Sequence, residues 1–282
     1  MSVVINTNIA SLIAQKNLAT ANAQLRVSVA RLSSGYRVNS SADDAAGLAR
    51  ADQLRSQARM IQVAMRNVND GVSAMEISDK AAEQITNILT RMGELAASAA
   101  QGTLDTTTRS YYSNEYDKLI DEIDRIAATT EFGGKKLLDG SLTSLTLYIG
   151  FKSSSNDQLS VSLQNLTIAT SGSSSSGLAL TKAALSSVAA ALSAMGYLST
   201  ALKTVNDARA VFGATTNRLN AALANLQVSF TNFQAAESRI RDADFAYETA
   251  VFTKNQILVQ AGTSVLAQAN FLPQAALSLL GG

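Results

Sequence analysis

In 282 residues the sequence has no cysteine, no histidine, no tryptophan and one proline, Pro273. Each gap removes a class of function. Without Cys there is no disulfide framework, no thiolate nucleophile and no sulfur metal site. Without His the commonest base near neutral pH and the commonest metal ligand are gone. Aromatic residues are 5% of the chain although hydrophobic residues are 46%. The apolar mass is therefore mainly Ala, Leu, Ile and Val, which suits close helix–helix contact better than a thick globular core. Charge of one sign is missing too: 23 basic residues meet 22 acidic ones. No strong field selects nucleic acid or an anionic membrane, so neither is expected as a partner. No run approaches the roughly 18 consecutive apolar residues of a membrane span, so no membrane insertion is expected. Met1-Ser-Val-Val-Ile-Asn-Thr-Asn8 has no basic flank, apolar core or small-residue cleavage site. If the protein leaves the cell, a route other than a cleavable signal peptide is expected.

What is present is heptad periodicity, on a background without internal Pro that permits long unbroken helices. Met195, Leu198, Leu202, Val205, Phe212, Leu219, Leu223, Leu226, Phe230, Phe233 and Ile240 step by 3 and 4. Only Arg209, Thr216 and Glu237 interrupt them, which marks a coiled-coil seam. Leu202, Val205, Leu219, Leu226 and Phe230 are expected to pack within the molecule. A second seam runs through Ile61, Met65, Val68, Val72 and Met75. It slips phase near Ser78 and Asp79, then resumes at Ala82, Ile85, Leu89, Met92 and Ala96. Ser41 is read as the N-cap of that helix, with Asp44 completing a capping box, and Gly102 as its stop. A third helix follows Asp105, with Tyr112, Tyr116, Leu119, Ile123 and Ile126 facing inward. The short loop before it predicts an antiparallel return.

The middle changes period. Leu145, Leu147 and Ile149 alternate with polar or aromatic neighbours, and so do Leu159, Val161 and Leu163. A small β-hairpin turning around residues 153–157 is expected. The tract Ser171-Gly-Ser-Ser-Ser-Ser-Gly177 reads as flexible surface. Ser153, Ser154, Ser173 and Ser174 offer hydroxyls for O-linked glycans, against the plainer reading of bare polar loops. The two ends form a matched pair of amphipathic segments, residues 3–35 and 245–272. Two such helices make a marginal bundle, so they are expected to pair and to finish burying their apolar faces against other copies. The predicted fold is mainly α: a long antiparallel coiled-coil helical rod with a small β-hairpin region.

Charged clusters have modest readings. Adjacent Asp43 and Asp44 could be an acid–base or metal pair, but a helix cap explains them without further partners. Arg239, Arg241, Asp242 and Asp244 fit an ion-pair network where one helix hands over to the next. No phosphate loop or nucleophile elbow is present, and Tyr111, Tyr112 and Tyr116 lack the basic interleaving of a nucleic-acid platform. No enzyme, metal or cofactor is expected.

Three segments carry a family resemblance. Leu32-Ser-Ser-Gly-Tyr-Arg-Val-Asn-Ser-Ser-Ala-Asp-Asp-Ala-Ala-Gly-Leu48 resembles the N-terminal signature of bacterial flagellins. Ala236-Glu-Ser-Arg-Ile-Arg-Asp-Ala-Asp-Phe-Ala246 resembles their C-terminal counterpart. The stretch Ile257–Asn270, followed by Pro273 and Leu277-Ser-Leu-Leu280, resembles the flagellin tail. The resemblance implies a subunit that polymerises into the extracellular filament used for swimming, in a short form without large outer domains. It implies inner-tube helices over 1–43 and 241–282, and an outer-tube core over 44–150 and 181–240. Residues 151–180 are then a short variable segment.

It also implies inter-subunit contacts in the inner tube by Ile5, Ile9, Leu12, Leu258, Ala261, Val265, Leu266 and Leu272. The implied partners are further copies of the chain, the flagellar export apparatus and an export chaperone, the filament cap and the hook-junction proteins. Ile88-Leu-Thr-Arg-Met-Gly-Glu-Leu-Ala96 resembles the segment that a Toll-like receptor contacts in flagellins, which nominates Arg91, Glu94 and Leu95. Bottom-up, Arg91 and Glu94 are a charge pair at i, i+3 on a helix. The rival readings are a hook–filament junction protein of the same family and a secreted coiled-coil translocator or adhesin.

Overall fold

The computed structural model describes residues 7–152, 154–168, 177–182 and 185–280, with side chains in the last helix described as far as Phe271. The chain is mainly α-helical. Among the described residues the α-helices are α1 (Ile9–Ser34), α2 (Ala45–Ala99), α3 (Thr106–Thr129), α4 (Val188–Arg241) and α5 (Phe245–Leu280). Two small antiparallel strand pairs lie between α3 and α4: β1 (Glu131–Phe132) with β2 (Lys135–Lys136), and β3 (Ser144–Tyr148) with β4 (Gln158–Ser162). The chain gathers into two compact units. One combines Met1–Ala58 with Thr231–Gly282, and the other is Arg59–Phe230.

Helix ends follow local chemistry. Asn8 caps α1 by accepting the Ser11 N–H at 3.0 Å. Gly35, at φ 74°, closes that helix in the left-handed region that favours glycine. Asp105 caps α3 through the Thr108 N–H at 3.1 Å. The cap of α2 differs from the expected one. Residues 41–43 form a turn, and α2 begins at Ala45. Asp44, rather than Ser41, accepts a backbone N–H, from Gly47 at 2.8 Å. A side chain at position 47 would collide with that carboxylate, so glycine leaves it room to fold over the helix end. Asp43 accepts from the Asn39 and Ser40 N–H groups at 3.2 and 2.9 Å. The backbone N–H of Ser40 first, and its hydroxyl second, hold the Asp43 carboxyl below the usual range. Both carboxylates are thus occupied by backbone.

In the Arg59–Phe230 unit α2 and α4 run antiparallel. Arg209 Nε meets Asp79 Oδ1 at 2.9 Å, and Leu219 lies over Gly71. The α2 seam is a continuous heptad with no slip: Ile61, Ala64, Val68, Gly71, Met75, Ser78, Ala82, Ile85, Leu89, Met92, Ala96 and Ala99 are all buried. Ser78 belongs to it, its hydroxyl satisfied by the Ala74 carbonyl at 2.9 Å. The apparent slip arises from taking Met65 and Val72 as seam positions; both are half-buried flanks. The α4 seam repeats the lesson. Ala191, Ala194, Leu198, Ala201, Val205, Ala208, Phe212, Thr215, Leu219 and Leu226 are buried. The large residues of the next column, Leu202, Leu223 and Phe230, are half-buried, and Met195 is exposed. Small residues occupy one column of each helix so that large residues of the other can enter. On composition alone α4 could cross a membrane. Its buried Ala, Leu, Val and Phe residues form this seam.

Helix α3 returns antiparallel along α2. Arg109 Nε donates to the Ala99 carbonyl at 3.0 Å, and Arg91 reaches Glu115 at 2.9 Å. Its buried face is Arg109, Tyr116, Ile120, Ile123 and Ala127. Tyr112, Leu119 and Ile126 sit half-buried beside it. Burial pushes the Tyr116 phenol up to about 12. The β3–β4 hairpin has the expected alternation, pairing Leu145 with Val161 and Leu147 with Leu159. Leu147 fills the space above Gly71. The β1–β2 pair has no counterpart in the sequence reading. Its signal is Gly133-Gly134, both at positive φ, between Phe132 and Lys135.

Candidate assembly surface

Helices α1 and α5 pair antiparallel along an unusual seam. On α1 the buried positions are Ser11, Ala14, Ala21 and Ser28, with Leu18, Leu25 and Leu32 half-buried between them. On α5 they are Glu248, Asn255 and Ala269, with Phe252, Val259, Gly262 and Leu266 half-buried. Small side chains bring the backbones close: a Cβ on Gly262 would lie 3.7 Å from Leu18 Cβ. Asn8 Nδ2 donates to the Ala269 carbonyl at 2.8 Å at one end of the pair. Arg31 meets the buried Glu248 carboxylate at 3.6 Å near the other.

The large apolar side chains of this pair point outward. Ile9 is 62% exposed, Leu12 55%, Val265 54% and Leu258 45%. Ile13, Val27, Val29, Phe245, Tyr247, Ile257 and Phe271 are exposed as well. Ala261 is exposed and Leu266 half-buried. Of the expected contact residues, Ile5 and the Leu272 side chain lie outside the described residues. The sequence reading missed the breadth of this face. The signal was available, since only one heptad column of each helix is covered by its partner and other columns also carry apolar residues.

The junction of α1–α2 with α4–α5 is polar and tightly tied. The Ala243 N–H donates to the Gly35 carbonyl at 2.9 Å, and the Arg37 N–H to the Arg241 carbonyl at 2.7 Å. The Arg241 guanidinium lies 4.2 Å from the Tyr36 ring centroid and reaches Asp52 and Glu237 at 4.0 Å. Asp244 caps α5 through the Ala246 and Tyr247 N–H groups at 2.9 and 3.1 Å. Of Arg239, Arg241, Asp242 and Asp244, expected to form an ion-pair network, Arg241 takes the ion pairs seen here, with Asp52 and Glu237 outside that set, and Asp244 serves as the cap of α5.

Among the seam residues named from sequence, Val205, Leu219 and Leu226 are buried, and Leu202 and Phe230 half-buried. Arg91 and Glu94 form an exposed pair at 2.9 Å, and Arg91 is shared with Glu115. Leu95 is 3% exposed and faces the core, unlike its two neighbours in the motif. The Ser154 hydroxyl accepts from the Asn156 N–H at 3.3 Å in the hairpin turn. Ser153, Ser173 and Ser174 lie outside the described residues. Among the described residues no group of three acidic, His or Cys side chains is placed to hold a metal.

Comparison with known proteins gives this surface a context. Residues 5–143 match the model of the bacterial flagellin N-terminal helical region, and residues 195–280 that of the C-terminal helical region. The chain is 37% identical over 277 residues to a flagellin of Halalkalibacterium halodurans, covering 98% of this chain and 99% of that one. It is 35% identical over 285 residues to flagellin FlaB2 of Treponema pallidum, with the same coverage. It is 36% identical over 284 residues to the flagellar filament 33 kDa core protein of Treponema phagedenis, again covering 98% and 99%.

Proposed function

The chain belongs to the bacterial flagellin family and is a structural subunit of the extracellular flagellar filament; on that premise we propose that the outward apolar face of α1 and α5 is the surface its copies bury when they polymerise. The observation that carries this reading is the inversion along these two helices. Small and polar residues fill their seam, while Ile9, Leu12, Leu258 and Val265 are exposed. Burying a large aliphatic side chain contributes about 1.5–3 kcal/mol, so many modest contacts per subunit suffice to drive assembly. Ala261 lets a neighbouring helix approach closely, and Ile5 and Leu272 are further proposed contacts between copies.

In this reading residues 1–43 and 241–282 form an inner layer, residues 44–150 and 181–240 an outer one, and 151–180 a short variable segment. The outer-layer seam residues, Val205, Leu219 and Leu226 with flanking Leu202 and Phe230, keep each subunit folded. The role is mechanical and has no catalytic step. The flagellar export apparatus, an export chaperone, the filament cap and the hook-junction proteins complete the proposed set of partners. Recognition by a Toll-like receptor is assigned to exposed Arg91 and Glu94. Leu95 supports that surface from beneath. Reporter cells that stay silent towards depolymerised subunit would sink the receptor assignment.

The principal test is electron microscopy of purified protein before and after seeding with short filament fragments. Long uniform tubes growing from the seeds are expected. Persistent monomers under all seeding conditions would overturn the assembly role of the α1–α5 face.

A further inference from the structure

A pocket of about 410 Å³ opens between α1 and α5 towards the Arg31–Glu248 end of the pair. Val27, Ser28 and Arg31 line it from α1, and Glu248, Lys254 and Asn255 from α5. Its polar groups are poorly matched within the chain. Asn255 is 2% exposed, yet its amide hydrogen-bonds no other described residue. The antiparallel pairing that sets Leu18 against Gly262 sets Leu25 against Asn255 one heptad on, so α1 offers it only an aliphatic side chain. Ser28, buried beside it, has a hydroxyl that is likewise without a partner. Arg31 and Glu248 stand 3.6 Å apart, beyond hydrogen-bond range, and Arg31 Nε is buried without an acceptor. A buried amide with no hydrogen bond is unfavourable, and more so once the pocket is covered. What covers it must bring both a donor and an acceptor.

The composition of α1 and α5 narrows what a second copy can supply. Glu248 is the only acidic residue in either helix and it is buried, so no carboxylate comes from this face of a copy. A lysine or arginine of the copy would meet Lys254 and Arg31. The threonines of both helices, Thr20, Thr249, Thr253 and Thr263, bond back to their own turns. The exposed side chains that remain are amides. Asn17, Gln24, Gln256, Gln260 and Gln268 are exposed and hydrogen-bond no other described residue. An amide carries donor and acceptor together, which is what Asn255 lacks. We propose that this pocket is a socket for a side-chain amide of a second copy, supplied by a glutamine or asparagine of that copy's α1 or α5. The inference rests on the polymerisation reading above and adds a polar specificity contact to it. Apolar burial gives the affinity, and the amide in the socket selects a copy that carries it in the right place.

Asn255→Leu tests the socket with little change in side-chain size. Because the Asn255 amide bonds nothing within the chain, the melting midpoint should stay at the parent value or rise. Seeded growth should need about tenfold more protein, since the neighbour's amide then enters the pocket without a partner. Growth at the parent's critical concentration would overturn the proposal. A marked fall in the midpoint would overturn it too, because Asn255 would then be an internal contact.

Cross-linking identifies the guest, in a chain with no cysteine of its own. An unlabelled chain carries Asn255→Cys. An isotope-labelled chain carries Asn17→Cys, Gln24→Cys, Gln256→Cys, Gln260→Cys or Gln268→Cys, or Tyr111→Cys as an exposed control in the other unit. The two chains are mixed, grown from parent seeds above the raised critical concentration, oxidised, and read by mass spectrometry. A labelled–unlabelled disulfide dimer from one amide position, well above the Tyr111→Cys yield, is expected. Yields no higher than that control at every amide position would overturn the proposal. Failure of the parent chain itself to extend seeds would refute the polymerisation reading and the socket with it. Parent growth alongside equal growth of Asn255→Leu would refute the socket alone.

Discussion

The two compact units spend the same kind of residue in opposite ways. In Arg59–Phe230 the seam positions hold large side chains that are fully buried. The largest fully buried ones, among them Tyr116, Phe212, Ile61, Met75, Ile85 and Leu89, all lie in this unit. In the unit of the chain ends the buried set includes Ser11, Ala14, Ala21, Ser28, Glu248 and Asn255, and Ile9, Leu12, Ile13, Ile257 and Val265 face outward. Both units use heptads, so periodicity alone does not distinguish them. What differs is the column in which the bulk sits. A helix pair with bulk inside is completed by its own partner; one with bulk outside is completed by a neighbour. The same chain thus contains a part with a core of large buried side chains and a part that leaves large side chains exposed, the face proposed above for association.

The sharpest way to break this comparison is to place a charge on the outward face. Val265→Asp puts a carboxylate on a side chain that is 54% exposed in the single chain. There it should change thermal stability little, within about 0.5 kcal/mol. If copies bury this face as proposed, the same carboxylate is unpaired in the assembly, at a cost of several kcal/mol per subunit. The expected result is secreted, folded protein with no filaments by microscopy. Normal filaments from this variant would show that the face is not an interface.

The converse substitution belongs in the other unit. Phe212→Ala removes a fully buried ring from the α4 seam. It should destabilise the chain by about 3–5 kcal/mol in denaturant melts. Seeded growth well below the lowered midpoint should persist. If Phe212→Ala left stability unchanged, the claim that this unit stands on its own core would fail. A milder change probes the junction. Tyr36→Leu removes the ring beneath the Arg241 guanidinium, 4.2 Å from its centroid. A loss of about 1 kcal/mol is expected from the same melts. Arg241→Lys should lose part of it, because an ammonium does not reproduce the flat stacking and fork of the guanidinium.

Much of the fold is legible in the sequence. The long helices, the hairpin with its period-2 alternation, the start of α3 after Asp105 and the paired ends all follow from periodicity and turn chemistry. The seams were harder to read, for one physical reason. Hydrophobic size draws attention to Met65, Val72, Leu202 and Leu223, yet the buried columns are Ala64, Gly71 and Ser78 on α2 and Ala194, Ala201 and Ala208 on α4. A small residue contributes little hydrophobicity of its own, but it forms the hole into which a large residue of the facing helix fits. Knowing which positions are holes requires the partner helix. The exposed apolar face of α1 and α5 follows in outline from the amphipathic pattern of the two ends, where one column is covered by the partner helix and others also carry apolar residues. Glu248 and Asn255 were not legible, because a polar residue within a helix reads as surface until its neighbours cover it.

The smallest expected effect separates charge from packing. Asp105 caps α3, and hydrogen bonds from Thr108, through its hydroxyl first and its backbone N–H second, hold the carboxyl below the usual carboxylate range. A folded pKa below the unfolded one means the stabilisation is present above the unfolded value and is lost as pH falls through the folded one. Asp43 behaves in the same sense through Ser40. Melts at successively lower pH should therefore show a modest loss of stability beginning near the ordinary Asp range. Asp105→Asn should reduce that pH dependence while leaving the neutral-pH fold in place, since an amide oxygen still accepts the Thr108 N–H. Asp105 caps α3 in one unit and Asp43 closes the turn before α2 in the other, and neither is on the outward apolar face. The acid-induced change should thus be the same for monomers of the parent chain and of Val265→Asp. A difference between them would mean that the face and the folded core are coupled, which the contrast between the two units denies.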